Sequence, residues 1–232
     1  MGVSLAIDLI GSEPIARQVT RALRHAIVTM RIKPGEMLSE QEIATGLGVS
    51  RQPVREAFIK LGEAGLLRIL PQRGTLVMKI SPPAVEDARF IREAIECAIA
   101  RDAARLRSTN TLSSLHENLA RQRRAARAKN AEVFFTLDEE FHRLLAVGAG
   151  RPSAWRVIED VKPQMDRVRF LSVPHAVPMK VPIEQHVAIT EAVEHGNSDA
   201  AEAAMRTHLN EASFSLQALA ELHRDLFEVP SI

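Results

Sequence analysis

The chain has 232 residues, 46% apolar and 25% charged: globular composition, long enough for a sizeable core and for two domains. A single cysteine, Cys97, excludes a disulfide framework and suits a reducing cytoplasm; no long uncharged apolar run offers a membrane span, and Met1 to Ile10 lacks the basic n-region of a signal peptide. Net charge is only +1 but uneven: residues 1–80 hold 11 Lys and Arg against 7 Asp and Glu, the remainder 19 against 22, so a mildly basic head precedes a mildly acidic body.

In chain order, residues up to about Gly11 read as a loose arm. Ser12 and Pro14 open a helix with Ile15, Val19, Leu23, Ile27 and Met30 on one face, and Lys33-Pro-Gly35 ends it. Ser39-Glu-Gln-Glu42 fits a capping box, in which Ser39 and Glu42 satisfy each other's N–H groups. The helix so opened runs through Ile43, Ala44 and Leu47, and Gly48 suits its left-handed exit. Ser50 then stands where its hydroxyl can cap a third helix, with Pro53 in the first turn and Val54, Ala57, Phe58 and Leu61 on one apolar stripe. Arg51, Gln52 and Arg55 lie off that stripe, clustered at the N-terminal end and facing outward. Such a helix fits a DNA major groove; taken by itself, the segment reads equally as a surface helix with solvated arginines. The preceding helix and Gly-containing turn favour the first reading, because together they make a helix-turn-helix. After Gly65, Leu66–Leu70 and Thr75–Met78 read as strands joined through Pro71-Gln-Arg-Gly74, a hairpin wing whose tip can set Arg73 in the minor groove or on phosphate.

Ser81-Pro-Pro83 reads as a short, semi-stiff linker and domain boundary, since two prolines exclude helix and restrict the backbone. Beyond it the periodicity is helical only, over about 84–107, 111–129, 131–149, 152–171, 181–195 and 198–227. The expected fold is thus mostly α: a winged helix-turn-helix over 1–80, a linker at 81–83, and an all-α bundle of about six helices over 84–232. The basic run Arg121-Gln-Arg-Arg124 with Arg127 and Lys129 reads as a solvated helix face, because Ala and Leu interleave at helical spacing. The bundle's polar residues are more informative. Asp138 and His142 share the stripe of Phe134, Leu137, Phe141 and Leu145 at i,i+4; His186 lies with Ile183, Ile189 and Val193; His208 lies with Ala201, Ala204 and Ala212. An acid and three histidines on inward faces need partners. One divalent metal ion would satisfy all four, zinc first, nickel or manganese behind it; a hydrogen-bonded core network is the alternative. His25, His116, His175, His195 and His223 lack this context and read as surface or incidental.

Met30-Arg-Ile-Lys-Pro-Gly-Glu-Met-Leu-Ser-Glu40, Gly48-Val-Ser-Arg-Gln-Pro-Val-Arg-Glu-Ala57, Leu61, Glu63-Ala-Gly-Leu66 and Gly74 together resemble the winged helix of GntR-family bacterial transcription regulators. Phe90-Ile-Arg-Glu-Ala-Ile-Glu96, Asp138 to His142, Ile183–Val193 and Met205-Arg-Thr-His-Leu209 resemble the FCD domain of the FadR-type branch. The resemblance implies that Arg51, Gln52 and Arg55 face double-stranded operator DNA, with Arg73 and Gly74 at the wing, and that Gln41 stands where many relatives carry a basic residue. It implies a divalent metal at Asp138, His142, His186 and His208, and a small organic acid as effector. Arg92 would pair with that acid through its planar fork, or else with Glu96 at i,i+4. It also implies a cytoplasmic, homodimeric, ligand-released repressor rather than an enzyme. A metal-dependent enzyme fused to a DNA-binding head, and an architectural DNA binder with a structural metal, are the competing classes.

Overall fold

The computed structural model describes residues 10–172, 179–211 and 216–228. They divide into two compact units: Met1–Val85 with Gln217–Ile232, and Glu86–Leu216.

The first unit opens with α1 (Ile15–Val28), β1 (Met37–Leu38), α2 (Glu40–Leu47) and α3 (Arg51–Glu63), followed by β2 (Leu67–Leu70) and β3 (Gly74–Val77). α1 ends before Lys33, at Val28, and Met30 takes a left-handed conformation just beyond it. Ser39 caps α2 by accepting from Glu42 N at 3.4 Å, and Gly48 leaves it at φ 65°. Ser50 is the residue before α3, yet its hydroxyl makes no capping hydrogen bond, contrary to the sequence expectation. The α3 stripe Val54, Ala57, Phe58 and Leu61 is buried against Val19, Leu23 and Ile27 of α1. Burying one such large side chain stabilises by about 1.5–3 kcal/mol.

The wing is a three-stranded antiparallel sheet in the order β1-β3-β2, not the lone hairpin expected from the sequence. β1 escapes notice because two residues carry no periodicity; its pairing (Met37↔Leu76, Leu38↔Thr75) is what reveals it. At the turn, Gly74 has φ 102°, and a Cβ there would lie 3.1 Å from Met37 Cε and 3.3 Å from Leu38 O. The left-handed φ favours glycine, and the close approach to the Leu38 carbonyl adds to the preference. The unit is completed by the chain's return: Ile80 N donates to Leu226 O and Glu228 N to Ile80 O, each at 2.9 Å, in a parallel bridge of Ile80 with Phe227.

The second unit holds α4 (Pro82–Leu106, whose first turn precedes the unit boundary), α5 (Thr109–Arg127), α6 (Ala131–Gly148), α7 (Pro152–Val161), α8 (Pro163–Ser172), α9 (Lys180–Glu194) and α10 (Ser198–Glu211); α11 (Leu216–Leu222) leads back to the first unit. Three sequence expectations are corrected here. Pro82 and Pro83 form the first turn of α4 rather than a separate linker, since the first helical residues have no intrahelical acceptor for an N–H and proline lacks one to begin with. The segment 152–171 is two helices, divided at Lys162-Pro163. The helical pattern over 198–227 does not reach its expected end: helix is described over Ser198–Glu211 and Leu216–Leu222, and beyond it the chain turns into the Phe227 bridge. α5 packs on α6 and α9, and α9 on α10, around a core that includes Ala100, Leu115, Phe141, Leu145, Ile189 and Met205. No helix among the described residues is long and apolar enough to cross a membrane.

Candidate functional site

Two sites of interest emerge, one on the surface of the first unit and one buried in the second. On the first unit, Arg51, Gln52 and Arg55 are exposed at the start of α3, and Arg73 and Gly74 are exposed at the wing turn. Arg51 donates to Glu40 of α2 at 3.0 Å and Gln52 to Glu56 at 3.0 Å. Both contacts lie in solvent and are worth little, so a phosphate or base edge can replace them. Gln41 is exposed as well, and donates to Thr45 Oγ1 at 3.3 Å.

On the second unit, the four residues singled out in the sequence come together. Asp138 and His142 of α6, His186 of α9 and His208 of α10 are all buried, and one ligand atom from each lies within 4.8 Å of the others. The Nε2 atoms converge: His142 to His208 is 3.2 Å and His186 to His208 is 3.4 Å. Asp138 Oδ1 is 3.6 Å from His186 Nε2, and Asp138 Oδ2 is 4.0 Å from His142 Nε2. Phe141 stacks on the His186 ring, with centroids 4.0 Å apart and 17° between planes.

Each histidine turns its Nδ1 outward onto an oxygen. His142 Nδ1 lies against Glu96 Oε2, His186 Nδ1 is 2.9 Å from Gln122 Oε1, and His208 Nδ1 is 2.9 Å from Gln185 Oε1. An oxygen acceptor at Nδ1 places the proton there and leaves a lone pair on Nε2. Three lone pairs and a carboxylate therefore face one another in a buried space. Burial pushes the His186 imidazole down to about 3, against the pull of Asp138. Burial, then His186 and His142, push His208 well below its ordinary range. These two rings are neutral and ready to donate electron pairs. Burial works against a charged Asp138, but the Arg169 guanidinium paired with it outweighs burial and holds the carboxyl far below the usual range. Two ligands on one ion at about 2.0–2.1 Å stand about 3–3.4 Å apart, which matches the Nε2 spacings. The donor set, its geometry and its unbalanced lone pairs fit a divalent metal.

Around this cluster lies a shell of buried charge, of which the sequence indicated only Arg92 and Glu96. Arg92 donates through Nε to Glu96 Oε1 at 2.5 Å, and both side chains are buried; the i,i+4 pairing is therefore present. Burial works against a charged Glu96, but Arg92 and His142 hold its carboxyl far below the usual range. Arg169 pairs with Asp138 and lies 3.5 Å from Asp166, which takes Lys162 at 2.5 Å. Burial pushes the Lys162 ammonium down to about 8 despite Asp166. Arg167 is fully buried beside Gln164. α8 thus carries Asp166, Arg167 and Arg169 into the interior. The i,i+3 and i,i+4 spacing of Lys162, Asp166 and Arg169 was the available signal, but it is equally that of an ordinary solvated helix. His116 lies exposed 3.6 Å from Glu194, and exposed His195 is bonded to Glu191 O, as expected of surface residues; His175 lies outside the described residues.

Residues 15–77 match the bacterial regulatory proteins of the gntR family, and residues 87–211 match the FCD domain. The chain is 44% identical over 216 residues to the HTH-type transcriptional repressor RspR of Escherichia coli K12, covering 93% of this chain and 95% of that one. It is 35% identical over 211 residues to an HTH-type transcriptional regulator in an unstable DNA locus of Streptomyces ambofaciens, covering 91% and 89%. The fold is similar to that of E. coli McbR/YncC, with TM-score 0.78 at 20% identity over 92% of this chain and 99% of that one. By its two domains in order and by identity across nearly the whole length, the chain belongs to the GntR family of transcription regulators, in the FadR-type branch that carries an FCD domain, and not to an enzyme family.

Proposed function

We propose that the chain is a cytoplasmic, metal-dependent, metabolite-responsive repressor that binds operator DNA as a homodimer. The carrying observation is the convergence of Asp138, His142 and His186 with His208, three Nε2 atoms and one carboxylate in a buried space. A bound divalent ion, zinc being the first choice for this donor set, supplies a Lewis-acid centre for a small organic acid. Arg92, Lys162, Arg167 and Arg169 surround the cluster; Glu96, Asp138 and Asp166 balance most of their charge, so an acid would compete with those carboxylates for the guanidinium and ammonium groups. Arg92 donates Nε–H to Glu96, so its Nη groups are the ones an effector carboxylate would engage.

On the DNA side, Arg51, Gln52 and Arg55 would read the major groove while Arg73 and the Gly74 turn approach the backbone or minor groove. One head spans a half-site, so two heads in a homodimer suit a two-fold operator. The printed name of the E. coli relative, a transcriptional repressor, supports the sign. The acid shifts the protein only by binding one state better than the other.

His186→Ala tests the reading, because His186 comes from a different helix than the Asp138/His142 pair. The variant is expected to lose stoichiometric metal by elemental analysis and to melt at a lower temperature that added zinc does not restore. It is also expected to keep binding a duplex selected from random DNA by the wild type, while organic acids no longer release it. His195→Ala, on the exposed end of α9, keeps full metal. Wild-type protein that takes up no zinc, nickel or manganese would leave the four residues a hydrogen-bonded core network and remove the effector site with them. Metal uptake with no effect of any acid on DNA binding would favour an architectural role.

A further inference from the structure

Behind His186 stands a chain of hydrogen bonds whose direction is forced. It begins at the main-chain carbonyl of Leu137 in α6, which can only accept. Asn118 Nδ2 donates to it at 3.0 Å and lies 3.3 Å from Glu140 Oε2, another acceptor, whose carboxylate is held by Arg121 at 2.9 Å. Two acceptors on one side of the Asn118 amide fix its NH2 there and turn its Oδ1 the other way. Gln122 Nε2 donates to that Oδ1 at 2.7 Å. The Gln122 amide is fixed in turn, so its Oε1 faces His186 Nδ1 at 2.9 Å. Asn118 and Gln122 lie one turn apart on α5 and are 1% and 0% exposed. Both amides are shielded from bulk solvent, so every break in the row would orphan a buried polar atom.

We infer that Asn118 and Gln122 are positioning residues for the metal site: their relay from the Leu137 carbonyl holds the proton of His186 on Nδ1 and keeps Nε2 bare. The inference rests on the metal reading above and extends it to two residues that touch no ligand position. The alternative tautomer has an evident attraction, since a proton on Nε2 would face Asp138 Oδ1, 3.6 Å away. Asp138 alone would draw the proton inward and block the lone pair. Gln122 opposes that, and Asn118 keeps Gln122 from flipping. The relay begins at Leu137, the residue beside Asp138, so one helix places both the carboxylate ligand and the anchor that readies His186.

The direct test is the tautomer itself, read by nitrogen chemical shifts of the imidazole rings in metal-free full-length protein. Wild-type His186 is expected to show a protonated Nδ1 and a bare Nε2; a proton on Nε2 would overturn the inference, whether or not metal binds. Gln122→Leu is expected to move the proton to Nε2 and to weaken zinc binding about 10–100-fold in competition with a chelator. Gln122→Glu restores the acceptor at Nδ1 but leaves Asn118 Oδ1 without its donor, so it is expected to recover the wild-type tautomer at a lowered melting temperature. Asn118→Leu, which frees the Gln122 amide to flip, is expected to populate both tautomers. A purely structural role would lower the melting temperature of Gln122→Leu while leaving the His186 proton on Nδ1, and that result would refute the relay. Should wild-type protein bind no zinc, the functional reading fails, and the tautomers of the wild type and the three variants still decide the relay.

Discussion

The two units treat charge in opposite ways. In the winged-helix unit the apolar side chains of α1 and α3 close a core, and Arg51, Gln52, Arg55 and Arg73 stand in water. In the FCD unit Arg92, Glu96, Asp138, Asp166, Arg167 and Arg169 are buried, together with His142, His186 and His208. A solvated arginine costs the fold almost nothing and can be aimed at DNA freely. A buried ion must be paired in every state the protein visits, because an uncompensated charge in the interior is costly. Function on the first unit is therefore separable from stability, whereas function in the second is coupled to it. Asp138 makes the coupling concrete: it pairs with Arg169 here, and it is also the carboxylate of the candidate metal site.

Arg169→Leu is expected to give the largest effect. Removing one partner of a buried pair leaves the other charge uncompensated and costs about 3–5 kcal/mol. If Asp138 accepts either Arg169 or a metal ion, the full loss appears only in metal-free protein, and zinc recovers a large part of it. Denaturant unfolding of variant and wild type, each with zinc and with chelator, measures both terms. Equal losses in the two conditions would show that Arg169 and the ion do not share Asp138, and the contrast between the units would lose its sharpest example.

The same contrast explains what could be read in advance. The capped α2, its exit at Gly48 and the stripe of α3 follow from local rules of backbone and amphipathicity. Asp138, His142, His186 and His208 stood out because polar residues interrupt apolar stripes. Gln122 did not, because it sits inside Arg121-Gln-Arg-Arg124, where its neighbours face solvent and imply the same for it. Only its position one turn from Leu119 and Asn118, on the stripe of Leu115 and Ala125, distinguishes it. Glu96 was visible as a partner for Arg92, but its contact with His142 joins α4 to α6, and no spacing within one helix encodes that. β1 and the Ile80–Phe227 bridge are likewise pairings between distant segments, too short for any periodicity. The two prolines of α4 misled because they disfavour a helix interior but not its first turn.

A smaller effect is expected on the exposed side. Arg55→Ala removes a solvated side chain from α3, so the melting temperature and zinc content are expected to stay at wild-type values. Binding to the selected duplex is expected to weaken by about 1–3 kcal/mol, and more than binding to random DNA, if Arg55 reads a base edge. Equal losses on both duplexes, measured side by side at one salt concentration, would make it a phosphate contact. No loss on either would show that this face of α3 does not meet DNA.

The smallest effect is expected at the wing. Arg73 lies exposed in the turn between Leu70 and Gly74, and its main-chain N–H, not its side chain, bonds Leu70 O at 3.0 Å. Arg73→Ala therefore leaves the turn's backbone bonding intact, and stability is expected to change by no more than about 0.5 kcal/mol. A guanidinium on phosphate contributes attraction without sequence preference, because every nucleotide presents the same charge. Losing it is expected to weaken selected and random duplexes by the same factor and to lower the slope of log affinity against log salt by about 1. The other location, the minor groove, gives a different pattern: an arginine there senses groove width and the A·T pattern, so the loss would concentrate on A·T-rich duplexes. A salt titration on two duplexes that differ only in the base pairs under the wing separates the two. Unchanged affinity on both would mean that the wing stands clear of DNA and that α3 alone holds the head.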